Sequence, residues 1–92
     1  MNLYTFVLDY DGGTYIYQIK AGSQKNVAIT WAKKLEINSI PGLGPVSKKK
    51  IIEQMIDEDN TPTPVQNTRN TWCSVFVVRG KVGIITIVRT IQ

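Results

Sequence analysis

The sequence predicts an α+β domain, with one four-stranded, mostly antiparallel sheet and two helices packed on one of its faces. Three observations lead there. Apolar residues alternate with period two at both ends of the chain, recur at helical spacing in the middle, and turn residues punctuate the changes. The order of elements reads β-β-α-α-β-β, with no internal repeat and no low-complexity segment. At 92 residues the chain supports a single α+β domain over 1–92 with a modest core.

Leu3 to Tyr10 alternates, and Asp11-Gly12-Gly13 supplies a two-residue hairpin turn that tolerates positive φ. Thr14 to Lys20 is the return strand. One face then collects Tyr4, Phe6, Leu8, Tyr15, Tyr17 and Ile19, the core face. The other carries Thr5, Val7, Asp9, Thr14, Ile16 and Gln18. Ser23 is the expected N-cap of a helix from about Gln24, with Val27, Ala28, Trp31, Ala32 and Leu35 as its buried stripe. Pro41 and Gly42 are expected to end it. Ser47 is the expected cap of a second helix from Lys48 to about Asp57. Val46 and Ile51 form its expected hydrophobic staple, and Ile52, Met55 and Ile56 continue its buried face. Asp59 to Asn70 has the Thr, Pro and Asn content of a loop, functional or mobile at that length. Thr71 to Arg79 and Val82 to Ile91 form a second hairpin, turning at Gly80-Lys81.

That second hairpin is apolar on both sides. Trp72, Phe76, Val78, Ile85 and Ile87 share one face; Cys73, Val75, Val77, Ile84 and Val88 share the other. Strands apolar on both faces are usually central, which places the last strand beside the first. Two helices cover only one side, so Val7, Ile16, Val75, Val77, Ile84 and Val88 are left on a helix-free face. Such a face is buried in a homodimer or against a protein partner, or the sheet tolerates exposed valines.

Composition narrows the function classes. The chain is 42% apolar and 20% charged, ordinary for a globular protein. The net charge is +4, and from Lys20 to Lys50 there are seven lysines against one acid, Glu36, before Asp57, Glu58 and Asp59 reverse the sign. With no histidine and one cysteine, Cys73, there is no intramolecular disulfide, no expected metal site and no histidine-based catalytic set. No phosphate-binding loop or dinucleotide fingerprint occurs, so neither catalysis nor a cofactor is expected. The first residues lack the pattern of a signal peptide and no stretch is long enough to cross a bilayer, so a cytoplasmic protein with no membrane partner is expected. Asp9 and Asp11 read as turn chemistry and the aromatics as core. Trp31 and Trp72 are expected to meet between the first helix and the sheet, and Cys73 to be a buried, inert thiol.

One segment carries a sharper signal. Glu36 to Ile52 reads E-I-N-S-I-P-G-L-G-P-V-S-K-K-K-I-I, and its Ile40-Pro41-Gly42-Leu43-Gly44-Pro45 followed by Ile51-Ile52 resembles the helix-hairpin-helix motif of sequence-independent DNA-binding proteins. The resemblance implies that Gly42, Leu43 and Gly44 face a nucleic-acid phosphate, with Lys48, Lys49 and Lys50 adding charge. It covers these seventeen residues and departs at Lys48, where the family places a small side chain between its helices. The bland alternative is a helix connection that uses glycine for tight turns, followed by solvated lysines. Two functions are therefore expected: a non-enzymatic interaction domain, or a binder of nucleic-acid backbones. A small-anion sensor at the same helix start is a third.

Overall fold

Alternation and turn chemistry set the first hairpin. The computed structural model describes residues 2–22, 24–57 and 60–90. In it β1 (Asn2–Tyr10) and β2 (Gly13–Ala21) pair antiparallel, closed by Tyr10 opposite Gly13. The two turn residues, Asp11 and Gly12, both take positive φ, 49° and 80°, which matches the right-handed twist of the strands. The expected cap Ser23 lies outside the described residues, as do Glu58 and Asp59.

Helix α1 (Gln24–Lys34) buries Val27, Ala28, Trp31 and Ala32, and Leu35 just beyond its end, as the stripe predicts. It stops well before Pro41. The Ser39 hydroxyl donates to the Glu36 carbonyl at 2.8 Å and Ile40 N–H to the Ile37 carbonyl at 3.1 Å. These local bonds compete with a continued helix and leave one 3-10 turn, Ile37–Ser39. Ile40 and Leu43 are buried, so the connection adds to the core.

Helix α2 (Pro45–Ile56) begins two residues before the expected cap. Gly44 is the N-cap and Pro45 sits at the first helical position, where its missing N–H is not needed. Ser47 is therefore inside the helix and buried, forming a stripe with Ile51 and Met55. Val46 and Ile56 are exposed, so the staple does not form and the buried face is narrower than expected. Lys48 is only half-buried, beside that stripe and not within it.

The second hairpin pairs β4 (Thr71–Val78) with β5 (Lys81–Thr90). Its turn is Arg79-Gly80, one residue earlier than expected, and Arg79 takes φ 55°. The face assignments survive, because moving the turn by one residue shifts each strand's partners by two and preserves parity. All pairings are antiparallel, and the sheet runs β2-β1-β5-β4-β3, where β3 is Thr63–Pro64, with β5 beside β1 as the apolar pattern requires.

The fifth strand was not legible. β3 (Thr63–Pro64) is two residues long and contains a proline, a residue tolerated only where its missing donor faces outward. Beyond it, side chains continue the edge of β4. Asn60 Nδ2 donates to the Val75 carbonyl at 3.1 Å, while the Gln54 amide both donates to the Val77 carbonyl and accepts its N–H, each at 2.8 Å. Gln54→Ala removes both bonds, so it should cost about 1–2 kcal/mol in urea unfolding and speed amide exchange at Val77. Unchanged exchange there would contradict this role.

The core lies between the helices and one sheet face, and it is aromatic-rich. Trp31 stacks on Phe6 with ring centroids 5.6 Å apart and 6° between planes, and lies 6.4 Å from Phe76. Trp72, expected beside Trp31, is half-buried and tilts against Tyr4 instead. Tyr10, Gly83 and Phe76 occupy one cross-strand row, and the two rings close over the glycine, 5.8 Å apart. The Trp31 indole Nε1–H is buried with no acceptor among the described residues, an unmet bond that costs about 1–3 kcal/mol.

Candidate functional site

The face opposite the helices is built by the same alternation that fills the core. Odd residues of β1 and β4 and even residues of β2 and β5 point to it, which lines up Ile16, Val7, Thr86 and Cys73 across four strands. The next row holds Thr14, Asp9, Ile84 and Val75, and on the other side lie Gln18, Thr5, Val88 and Thr71. Ile16, Val75, Val77, Ile84 and Val88 are 36–66% exposed, and Val7 is half-buried among them. The six residues expected there from sequence are brought together.

Val82 belongs with them. It lies opposite Val77 and is exposed, and its alternation with Ile84 was the signal that could have found it. Cys73 is half-buried on this face and not in the core. The polar groups largely satisfy one another: Gln18 Nε2 donates to Thr5 Oγ1 at 3.2 Å, and Thr5 and Thr90 hydroxyls lie 3.1 Å apart. Among the described residues of the face only Asp9 and Lys20 are charged, at opposite ends of the β1–β2 hairpin. Four long strands at about 4.8 Å spacing and about eight residues at about 3.3 Å rise give roughly 500 Å² of flat area.

The glycine hairpin presents a different geometry. Gly42 takes φ 86°, and its carbonyl accepts a hydrogen bond from the Arg79 guanidinium, a partner no local sequence signal reveals. Leu43 is buried and donates its N–H to the Ile40 carbonyl at 3.2 Å, so that amide is engaged within the turn. Gly44 is the N-cap without a side chain to supply a cap bond, and its carbonyl accepts the Lys48 N–H at 3.0 Å as the helix starts. Lys49 and Lys50 are exposed on the first turns of α2. The segment gathers cations at a helix N-terminus, with one hairpin amide already engaged.

The remaining chemical candidates have partners. Asp9 accepts from the Thr14 hydroxyl at 2.8 Å, and Asp11 pairs with Lys81 at 2.8 Å. Among the described residues no helix is long and apolar enough to cross a membrane. Comparison with protein-family models, curated proteins and solved structures finds no match.

Proposed function

We propose that this chain is a non-enzymatic interaction domain that self-associates through its helix-free sheet face. The observation that carries the reading is the cluster of exposed Val75, Val77, Val82, Ile84 and Val88 on the β4–β5 half of this face, extended through half-buried Val7 on β1 to exposed Ile16 on β2. Isolated exposed apolar residues need no partner, but a contiguous patch of several hundred Å² favours one.

Two features make a second copy the better partner. An isologous interface must complement itself. Asp9 and Lys20 carry opposite charge at opposite ends of the face, so a two-fold axis that reverses strand direction brings each against its counterpart. Two such faces bury about 1,000 Å² or more, the threshold for a specific interface. Sheets stacked this way cross at about 30° and interdigitate their inner residues, the role that Ile16, Val75 and Ile84 would fill. Sedimentation of the purified chain over a range of concentrations tests this, and a monomer throughout would exclude self-association.

A second reading, binding to the phosphate backbone of nucleic acid, rests on Arg79 lying at Gly42, in the connection that leads into the helix bearing exposed Lys49 and Lys50. Labelled duplex DNA at low ionic strength should then bind, with affinity falling steeply as salt rises, and Lys49→Glu with Lys50→Glu should abolish it. No binding at low ionic strength would remove this reading and leave the sheet face untouched.

A further inference from the structure

The two edges of the sheet are treated differently. On the β4 side, β3 pairs with Trp72 and Cys73, Asn60 binds the Val75 carbonyl and Gln54 binds both backbone groups of Val77. On the other side β2 runs nine residues without a proline. Because Tyr10 and Gly13 close a two-residue turn, the odd residues of β2 exchange backbone bonds with β1. The N–H and C=O of Thr14, Ile16, Gln18 and Lys20 therefore point outward.

A cavity of about 230 Å³ opens at this edge, between β2 and the C-terminal end of α1. Tyr17, Ile19, Trp31 and Leu35 form its apolar walls, with Lys34 and Glu36 also lining it. Gln18 lines it too, although its side-chain amide is engaged with Thr5 on the opposite face, so it is the Gln18 backbone that borders the cavity. An edge donor and acceptor thus sit beside a hole able to take one large side chain; a dry cavity of about 150 Å³ already holds a benzene ring.

We propose that this edge is a peptide-docking site, where an extended segment of another protein adds to β2 as a further strand and seats one large apolar side chain in the cavity. Strand addition of this kind draws affinity from main-chain bonds and specificity from a pocket for alternate side chains. The bonding pattern demands an extended backbone. A second copy pairing through its own β2 fits poorly, since Tyr15, Tyr17 and Ile19, the side chains it has on that side, are already packed against its own core. The site uses edge backbone and a cavity in the helix layer, so it stands independently of self-association through the open face.

The test is selection of random linear peptides displayed on phage against the immobilised full chain. Enriched peptides should share strand-forming residues around one large apolar position. Gln18→Pro removes the outward N–H at a place where an edge strand tolerates proline. It should weaken a selected peptide by at least about tenfold, while Gln18→Thr, which keeps the N–H, should stay within about twofold. Should Gln18→Pro fail to fold, amide spectra of the unaltered chain decide, with Gln18 and Lys20 slowing in exchange on peptide addition. Failure to enrich any peptide would overturn the proposal, as would perturbations confined to the open face or α2, or self-association through β2 that Gln18→Pro abolishes.

Discussion

Val75→Lys should convert a dimer of the 10.3 kDa chain into a folded monomer, raising the dissociation constant by at least about 100-fold, or about 3 kcal/mol. Val75 lies opposite Ile84 near the middle of the exposed rows and is itself about half exposed. In the separate chain a lysine stem can lie along Ile84 and Val77 with its ammonium in water, so stability should change by less than about 1 kcal/mol. In a face-to-face pair the same ammonium is desolvated against apolar side chains with no carboxylate beside it, a penalty of several kcal/mol. Sedimentation and urea unfolding of the variant separate the two effects. A variant that remains dimeric would move the interface off this face, and one that unfolds would show that Val75 is structural.

Gly83→Ala should be among the most damaging single-methyl changes in the chain, costing about 3 kcal/mol and lowering the midpoint of thermal unfolding by about 10–20 °C. Gly83 sits between Tyr10 and Phe76 in one cross-strand row, and a methyl group on it would enter the Phe76 ring. That ring stacks on Tyr10 and leans toward Trp31, so it cannot yield without disturbing two other aromatic contacts. Gly22→Ala is the control, since nothing lies within 4 Å of the added carbon and the change should be within about 0.5 kcal/mol. Equal effects at the two positions would mean that backbone freedom, and not the ring, makes Gly83 necessary. The expected loss is a packing term, independent of whether two copies associate.

Much of this architecture was legible because short-range rules fix it. The Asp11-Gly12 turn sets the register of the first hairpin, and parity alone then sorts Tyr4, Phe6 and Leu8 from Thr5, Val7 and Asp9. Parity also preserves the faces of the second hairpin, and with them the open face, although its turn falls one residue earlier than the sequence predicts. What escaped depends on distant partners or on local competition. The chain leaves α1 at Lys34 and makes a separate 3-10 turn in which Ser39 bonds back to Glu36, and Pro45 starts α2 ahead of Ser47. Arg79 reaches Gly42 across 37 positions and Gln54 reaches Val77 across 23, contacts that no periodicity encodes. The β3 strand stayed hidden because two residues cannot alternate and Pro64 argues against a strand. The cavity beside β2 depends on the packing of α1 on the sheet, which a stripe of apolar residues announces without locating.

The sealing of one sheet margin by Gln54 and Asn60 has a consequence for higher assembly. Endless growth of a sheet needs two adhesive margins, one to receive each new subunit and another to offer to the next. Among the described residues the β2 margin is open along its length while the β4 margin is largely covered, so lateral growth past a first arrival is opposed. Such a chain can form pairs or capture a single strand, but its native state lacks the head-to-tail geometry of a filament. Freeing the β4 margin, as Gln54→Ala begins to do, would remove part of that stop.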